Sequence, residues 1–494
     1  MKFKKSQERL IAIAPISFSV FVIFFLSWLT VNNTTTSWLN SDVIIHSMIS
    51  TTNVTQFYWG QERLLNILPA LFSIVSDPGT NLYLILITAA ISHFLLLLII
   101  TSISVSAVGG NYKSWYASLI FVITSAAFLF TFADYAIFEM AVYHFEWPLA
   151  IDLSALAVFL YLSRLRFWIR IPLVVLIAGL AVGLNFSIAV ILAALIIFLT
   201  LVKKLSWKDF LIWVSVGAIV MTYWVVVSGD LRSKNFKNFA WENFNTLIGT
   251  SIGRIFSAFD PLKSTIFITL IFAIVLILLV TRTPQIENSI HSLTALPFQM
   301  IAMGIAFCSA WILVFAQNDW VVINSNHFRY FAPIFYFFIL VFTLFISLIV
   351  VPLGLGIVTT MATVTAGLIL AFVTGWLGQT LDLKQANVVK QAHELAPEYS
   401  KYVAGDFWLA WPYSFGQLLD HKPSVSLALR SEQNRASTSE QLRADLAKDG
   451  SIQITCLGES TDACIQQVQW HLGLDTPPEV SDRSVDNLIV IKAP

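Results

Sequence analysis

The chain has 494 residues, of which 57% are hydrophobic and 12% are charged, and its mean hydropathy is +0.76. Soluble domains carry about 25% charged residues, so this composition excludes an ordinary soluble protein and predicts a polytopic membrane protein. The formal net charge is zero and gives no reason to expect a nucleic-acid partner.

Apolar runs predict an all-α membrane domain with about eleven transmembrane helices. Two runs, 171–184 and 187–202, are shorter than the usual minimum of about 17 residues, which leaves tilted spans and a re-entrant pair as alternatives. Pro352, Gly354 and Gly356 favour a turn or kink between the last two runs. In chain order the runs are about 11–31, 81–107, 115–133, 147–162, 171–184, 187–202, 210–228, 265–281, 293–316, 331–351 and 354–378.

The orientation of the chain follows from its short basic segments. The N-terminus, "SRLRFWIR" (163–170) and "VKKLSWKD" (202–209) fall on one side of the membrane if all the runs span it, and the positive-inside rule makes that side the cytoplasm. The sequence thus predicts a membrane domain over 1–378 and a soluble extracytoplasmic domain over 379–494. The outer side also receives the long segments 32–80, 134–146, 229–264 and 317–330.

The first outer loop, 32–80, is amphipathic over 41–76. "DVIIHSMIS" and "ERLLNILPALFSIV" space their apolar residues as helices do, with Phe57, Tyr58 and Trp59 between them. Helices of this kind lie flat in the membrane interface, with aromatic rings at headgroup depth. We therefore expect interfacial helices in this loop.

The tail lacks long apolar runs and predicts a small α+β domain. "SEQLRADLAKDG" (439–450) is typical of a helix that Ser439 caps, and "SIQITCL" (451–457) and the terminal "DNLIVIKAP" are typical of strands. This mixture of helices and strands over about 100 residues suits one compact domain.

The three cysteines bear on the same topology. Cys308 lies in a predicted span, where a buried thiol is expected. Cys456 and Cys464 lie eight residues apart in the tail, and an extracytoplasmic tail favours a disulfide between them. A metal-binding pair is the alternative, for which His471 is the nearest further ligand.

Titratable side chains concentrate in four outer segments rather than within the spans. An ion-coupled transporter places such residues deep in the bundle, so this distribution favours chemistry at the outer membrane surface. The four groups are Asp42 and His46; Glu62 and Arg63; Asp134, Glu139, His144 and Glu146; and His327 and Arg329.

Such a surface suits a lipid-linked phosphate, whose tail stays in the bilayer while its phosphate lies at headgroup depth. An arginine offers that phosphate a planar, permanently charged fork. A nearby carboxylate can take the proton of an incoming hydroxyl. Together they predict a site that transfers a group from a lipid carrier.

Several segments carry a family resemblance. Asp42 in "WLNSD" directly follows the first span, interfacial helices and an acid- and histidine-rich second outer loop come next, and an extracytoplasmic tail domain follows the spans. In these features the chain resembles the GT-C superfamily of integral-membrane glycosyltransferases, which use polyprenyl-phosphate or dolichyl-phosphate sugars. "FYWGQERLLNILP" (57–69), "HFRYFAP" (327–333) and "GDFWLAWP" (405–412) are similar to segments of its bacterial members. The resemblance implies a place in the bacterial inner membrane, and a serotype-converting O-antigen glucosyltransferase is one candidate subtype.

The resemblance also implies roles for individual residues. Asp42 becomes the catalytic base or the residue that orients the acceptor, with Glu62 or Glu146 as a second acid. The implied partners are a polyprenyl-phosphate-linked sugar donor, a glycan or lipid acceptor, and membrane lipids. Some members use a divalent cation, so Mg²⁺ or Mn²⁺ is a candidate cofactor, although no cluster in the sequence predicts its site. The donor phosphate would be held by Arg329, Arg63, Arg254, His144 and His327, and the sugar or acceptor would be contacted by Trp59, Tyr58, Asp406 and Trp408.

Three alternatives stay open on the sequence alone. Asp42 also suits the N-cap of a helix that starts at "DVIIHSMIS". An O-antigen ligase or polymerase would use a pyrophosphate-linked donor, and a transporter or lipid flippase would move its substrate unchanged. The ligase alternative draws on the basic residues of the loop 229–264, which are Arg232, Lys234, Lys237 and Arg254.

Overall fold

A computed structural model of the chain divides into two compact units. Unit 1 comprises Met1–Thr30 and Ala89–Gln379, and unit 2 comprises Val31–Thr88 and Thr380–Pro494. The predicted domain boundary near residue 378 lies outside the described residues. The structure describes residues 2–58, 61–110, 115–228, 239, 243–269, 272, 295–353, 381–396, 399–428, 432–478, 480–483 and 488–492.

Helices make up most of the described chain, as the sequence predicts. A π-helix, Glu139–Tyr143, and 3₁₀ helices at Phe328–Phe331 and Leu383–Gln385 join them, and residues 261–269 are also helical. In chain order the α-helices are α1 (Lys2–Trp38), α2 (Ser41–Thr51), α3 (Ile67–Phe72), α4 (Pro78–Ala107), α5 (Trp115–Thr131), α6 (Asp134–Phe138), α7 (Glu146–Leu162), α8 (Phe167–Leu184), α9 (Ile188–Leu201), α10 (Trp207–Ser228), α11 (Phe244–Ser257), α12 (Leu296–Phe315), α13 (Asp319–Ile323), α14 (Ala332–Leu353), α15 (Asn387–Leu395), α16 (Phe407–Leu419), α17 (Glu432–Asp449) and α18 (Thr461–Leu472).

Apolar helices occupy the predicted runs wherever the structure describes them. Six are long and apolar enough to cross a membrane, and a seventh span results if one bent helix pair is counted as a unit. Helices α5 and α9 are apolar but shorter, with 17 and 14 residues. Since the run 354–378 and much of the run 265–281 lie outside the described residues, the total of about eleven spans stays a prediction. The six helices are Ala14–Trp38, Pro78–Ala107, Phe167–Leu184, Trp207–Val227, Leu296–Phe315 and Phe328–Val351.

The core of unit 1 includes an apolar cluster between α4, α5 and α14. Val105, Ile120 and Ile346 are among its buried residues. One polar contact crosses the same helices, since the hydroxyls of Thr124 and Thr343 lie 3.1 Å apart and are both buried. Packed helices of this kind fix the positions of the side chains at their ends.

A sharp bend separates the π-helix from α7. The two helical segments Asp134–Tyr143 and Glu146–Leu162 meet at an angle of 50°. Pro148, in the first turn of α7, explains the break, because its ring would collide with the carbonyl of His144 if the helix continued. The His144 N–H instead bonds to the Glu139 carbonyl at 2.9 Å, five residues back, which closes the π turn.

The segment 32–80 contains a buried helix, α2, in unit 2. Its N-cap is Asn40, whose side-chain oxygen accepts a hydrogen bond from the Val43 N–H at 3.1 Å. The interpretation of Asp42 as the cap is therefore wrong, because Asp42 lies inside the first turn. Helix α2 packs against α16 of the tail, and nearly all its residues are buried.

A hairpin replaces the first part of the second helix expected in this loop. Strands β1 (Phe57–Tyr58) and β2 (Gln61–Leu65) pair antiparallel, and helix α3 begins only at Ile67. Apolar spacing alone did not distinguish the two forms, whereas the aromatic residues of "FYW" favour strands. Glu62 and Arg63 consequently belong to a strand and not to an interfacial helix.

The tail has the predicted α+β architecture. A five-stranded sheet has the order β4-β3-β5-β7-β6, in which β4, β3 and β5 are parallel and β5, β7 and β6 are antiparallel. The predicted strand 451–457 is β5, and the terminal strand is β7. The strand bounds are β3 (Tyr402–Gly405), β4 (Val425–Ser426), β5 (Ser451–Leu457), β6 (Val480–Arg483) and β7 (Leu488–Lys492).

Ser439 lies inside helix α17 and does not cap it, because the helix starts at Glu432. Its hydroxyl lies 3.1 Å from Nδ1 of His471, and Nε2 of that imidazole lies 3.0 Å from the Leu427 carbonyl. Both His471 nitrogens are thus occupied in the core of the tail, which argues against the alternative of a metal site with the tail cysteines.

The predicted disulfide is present between Cys456 and Cys464. It links the end of β5 to the first turn of α18, with the two Cα atoms 6.0 Å apart and both cysteines buried. Cys308 is a buried free thiol in α12. Disulfides of this kind persist in oxidising compartments.

Alkylation counts the free thiols of the chain and so tests the disulfide. We expect the denatured, unreduced chain to expose only the Cys308 thiol to iodoacetamide, and the reduced chain to expose all three cysteines. Mass spectrometry of protein purified from cells measures the added mass. A Cys308→Ala variant serves as control, since it lowers each count by one. Alkylation of all three cysteines without reduction would contradict the disulfide.

Candidate functional site

The bend in unit 1 brings one histidine between two carboxylates. Nδ1 of His144 lies 2.8 Å from Oε1 of Glu146, and Nε2 makes a 2.9 Å ion-pair contact with Oε2 of Glu139. None of the three side chains is more than 17% exposed. A neutral imidazole carries one N–H, so only the imidazolium can donate toward both carboxylates. The geometry therefore fits a charged histidine between two acids.

The π turn is what places Glu139 beside His144. In a regular α-helix two residues five positions apart point about 140° away from each other. The wider π turn, closed by the bond from the His144 N–H to the Glu139 carbonyl, puts both side chains on one face. Glu146, two residues after His144, then reaches the same imidazole from the first turn of α7.

A second segment of unit 1 presents Arg329 and His327. Ser325 and Asn326 both adopt left-handed backbone, with φ of 55° and 50°. Asn326 is tied down by bonds from its amide to the Ser251 hydroxyl (2.7 Å) and to a backbone carbonyl. This tight turn leads directly into the 3₁₀ helix Phe328–Phe331 and so fixes where Arg329 projects.

The Arg329 guanidinium is held in place from two sides. Its Nη2 donates to Oδ1 of Asn324 at 3.3 Å and to the Tyr330 hydroxyl at 3.1 Å. The Cζ atom also lies 5.0 Å from the centre of the Tyr330 ring, within cation–π range. A guanidinium oriented in this way is prepared to meet an anion without first losing conformational freedom.

A small recess joins these two groups. Glu139 and His144 line it from the bend, and Arg329 lines it from the 3₁₀ helix, whereas Glu146 does not line it. The rest of its wall is apolar or aromatic. The complete lining is Glu139, Met140, His144, Trp147, Phe328, Arg329, Ala332 and Tyr336.

His327 is close to this cluster but is uncharged at neutral pH. Burial lowers the pKa of His327 to about 4, with Arg329 and Arg254 acting in the same direction and Glu139 against it. Its Nδ1 accepts the Arg329 N–H at 3.3 Å and so caps the 3₁₀ helix. His327 therefore has a local structural role, and the positive charges of the region come from other residues, among them the exposed Arg254 on α11.

Asp42 lies in unit 2 and is buried, with 8% of its surface exposed. The Tyr58 hydroxyl lies 2.9 Å from the Asp42 carbonyl and 3.4 Å from its Oδ1. The His46 ring packs against Tyr58, with the ring centres 4.8 Å apart. The α2 helix and the hairpin thus bring together an acid, a phenol and an imidazole.

The other predicted contact residues are distributed as follows. Glu62 and Arg63 lie in β2, while Trp59 lies outside the described residues. Asp406 caps α16, because its carboxylate accepts the Trp408 N–H at 2.6 Å. The Trp408 side chain is 50% exposed, which leaves a broad aromatic surface next to this cap.

Two polar residues of the recess, Glu139 and Tyr336, have no role in the sequence-based prediction. The sequence groups Glu139 only with the other acids of its segment. The sequence does contain a signal for Glu139, because Glu139, His144 and Glu146 all lie in the short segment that precedes Pro148. Tyr336 carried no such signal, because a tyrosine within an apolar span resembles any core aromatic residue.

The described residues offer no ready metal site. Over the part of the chain that the structure describes, no group of three or more His, Cys, Asp and Glu side chains is placed to hold a metal ion.

Comparisons with known proteins yield no match: no family model, no curated protein and no solved structure is similar to this chain.

The pKa of His327 predicts a pH-dependent stability. Because the folded state holds this imidazole neutral down to about pH 4, the unfolded chain binds the proton more readily. The stabilisation is therefore complete above about pH 6.5 and is lost as the pH falls toward 4. We expect the apparent Tm of the purified protein to fall between pH 7 and pH 5, and to fall less in His327→Asn, whose side-chain oxygen can still cap the 3₁₀ helix.

Thermal unfolding at the two pH values measures this effect. His421→Asn is the matched control, because His421 is an exposed histidine with left-handed backbone that Asn also tolerates. The account of His327 is wrong if its Asn variant loses as much Tm on acidification as the wild type does.

Proposed function

We propose that this protein is an integral-membrane glycosyltransferase that moves a sugar from a polyprenyl-phosphate carrier to a hydroxyl of a glycan or lipid acceptor. The observation that carries the proposal is the recess of unit 1, which Arg329 and the Glu139–His144 pair line together with aromatic residues. The reaction breaks the bond between the anomeric carbon and the phosphate oxygen, forms a bond to the acceptor oxygen, and passes the acceptor proton to a base.

Arg329 suits the carrier phosphate. The guanidinium is permanently charged, and its contacts with Asn324 and Tyr330 fix its plane. As the bond to the sugar breaks, negative charge grows on the phosphate, and an oriented arginine stabilises that charge without reorganising. His144, as an imidazolium, offsets the nearby carboxylates so that an anion can be accepted in this region.

The aromatic wall suits an apolar contact with the donor at the mouth of the recess, which itself has room for about one water molecule. Trp147, Phe328 and Tyr336 line the recess beside the charged groups. Aromatic faces bury the apolar face of a sugar or an isoprenoid carbon, while a carboxylate such as Glu139 can accept hydrogen bonds from hydroxyls. A site for a free inorganic anion would need no such surface.

Asp42 is the proposed base, a role that rests on the resemblance of its segment to the GT-C enzymes. Its burial and the Tyr58 hydroxyl near Oδ1 support a positioned carboxylate rather than a solvated one. Asn40 and not Asp42 caps α2, although an acid in the first turn also stabilises the helix through its dipole. Asp406 and the exposed Trp408 are proposed acceptor contacts.

The cellular placement follows from the same proposal. The chain would lie in the bacterial inner membrane, with a cytoplasmic N-terminus and the tail in the periplasm. The short basic segments 163–170 and 202–209 support this orientation, and the buried disulfide supports an oxidising compartment for the tail.

A transporter is the second candidate, favoured by two buried polar contacts within apolar helices. The Ser92 hydroxyl donates to Asp152 at 2.9 Å, and His93 lies 3.2 Å from the Tyr336 hydroxyl. Ionisable residues inside a membrane are costly and are often functional. Recovery of the lipid-linked sugar chemically unchanged on the far side of a proteoliposome membrane would favour this candidate, and a pyrophosphate-linked donor would favour a ligase or polymerase.

The role of Asp42 is tested by Asp42→Asn. The amide keeps the size of the side chain but cannot take a proton, so we expect transfer to fall about 100-fold or more while expression and Tm stay near those of the wild type. The assay follows labelled sugar from a polyprenyl-phosphate donor to the acceptor with purified protein. Asp382→Asn is the control, because Asp382 is an exposed cap in the same unit. Full activity of Asp42→Asn would rule out the base role.

The role of Arg329 is tested without catalysis. Polyprenyl phosphate should raise the apparent Tm of the wild type, since a ligand that binds only the folded state stabilises it. Arg329→Gln should bind about tenfold or more weakly, and Arg329→Lys should lie between, because lysine keeps the charge but loses the planar fork. Arg164→Gln, at an exposed arginine elsewhere in unit 1, should leave the shift unchanged. An unaltered shift in Arg329→Gln would exclude Arg329 from the phosphate site.

A further inference from the structure

His93 lies behind the recess and contacts two residues of its wall. It is fully buried in α4, and its Nδ1 lies 3.2 Å from the Tyr336 hydroxyl. Its Nε2 faces the Met140 peptide of the π-helix without closing a well-aligned hydrogen bond. Met140 and Tyr336 both line the recess, whereas His93 does not. One buried imidazole therefore connects the π turn to α14.

Packing alone does not account for an imidazole at this position. The ring lies against Phe128, with centres 4.3 Å apart, and meets the edge of Phe94 at 5.4 Å. An apolar side chain of similar size would fill this aromatic surrounding without the cost of burying two ring nitrogens. The polar atoms of His93 must therefore contribute something that packing does not, and the Tyr336 hydroxyl is the group they hold.

One tautomer of His93 gives that hydroxyl a defined role. If Nε2 carries the proton and points at the Met140 carbonyl, Nδ1 is an acceptor and the Tyr336 O–H donates to it. The phenol oxygen then keeps an acceptor lone pair on a ring that lines the recess. Such an oxygen suits a ligand that donates a hydrogen bond, as a sugar hydroxyl does and as a fully ionised phosphate does not.

We propose that Tyr336 contacts a hydroxyl of the carried sugar and that His93 is the positioning residue that fixes the Tyr336 phenol for this contact. This inference rests on the proposed function and adds to it a phenol, that of Tyr336, which recognises the sugar rather than the carrier. Arg329 and Tyr336 would then divide recognition of the donor, with the charged residue on the phosphate and the phenol on the sugar.

The test separates sugar from carrier by comparing two kinds of ligand. Bare polyprenyl phosphate and polyprenyl-phosphate hexoses (glucose, mannose and galactose) are titrated into purified protein, and the rise in apparent Tm gives the affinity for each. In the wild type, one hexose should bind more tightly than the bare carrier. Tyr336→Phe and His93→Leu should bind that hexose-bearing lipid about tenfold more weakly than the wild type does. Both variants should bind the bare carrier with the wild-type affinity.

Two further variants make the result specific. His93→Gln restores an acceptor near the phenol and should recover part of the sugar-dependent affinity. Thr343→Val is the matched control, because Thr343 also lies on α14 and makes a buried cross-helix contact with Thr124 but does not line the recess. The Thr343→Val variant should have a lower Tm than the wild type but the same preference for the hexose-bearing lipid.

The outcomes distinguish the two proposals. Loss of the hexose preference in both Tyr336→Phe and His93→Leu, with retention in Thr343→Val, supports the inference. If the wild type shows the preference and His93→Leu keeps it as Thr343→Val does, the positioning role is wrong and the proposed function stands. If the wild type responds to neither kind of lipid, the proposed function fails and this inference fails with it.

Discussion

The contact of His144 with two carboxylates at a break in an apolar helix is the constraint around which the candidate site is arranged. Burying two acids and a histidine is costly unless their charges are paired, and removal of His144 would leave two buried carboxylates without the cation that they share. The bend brings these charges together. Pro148 prevents α7 from extending toward the N-terminus, and the π turn rotates Glu139 toward His144. The same irregular backbone that breaks the helix therefore assembles the charged group.

The recess follows from that arrangement. Once Glu139 and His144 occupy one wall, the turn through Ser325 and Asn326 supplies Arg329 to the same space, and α14 supplies Tyr336. Each of these side chains is held by neighbours before any ligand arrives, which limits the entropy lost on binding. Asp42, in unit 2, is likewise buried and held beside Tyr58. The proposed glycosyl transfer uses groups that the fold has already oriented.

The sequence predicted the apolar helices, the α+β tail and the disulfide because composition, periodicity and cysteine spacing report them directly. It did not predict the hairpin at 57–65, where helical spacing and aromatic strand preference compete over a few residues. The sequence also could not show that Asn40 rather than Asp42 is the N-cap of α2, since both residue types are favoured at N-caps. The pairing of Glu139 with His144 depends on a π turn, and residues five apart are not neighbours in the α-helix that apolar periodicity implies. Tyr336 and His93 meet only through tertiary packing.

The proposed function requires that the recess of unit 1 bind the phosphate end of a polyprenyl carrier. Photo-crosslinking tests it most directly, with a polyprenyl phosphate that bears a diazirine beside the phosphate and with labelled peptides identified by mass spectrometry. We expect labels within Glu139–Trp147 and Phe328–Tyr336, and competition by unlabelled polyprenyl phosphate. Labels confined to the exposed apolar faces of α10 and α12, with no competition, would contradict it.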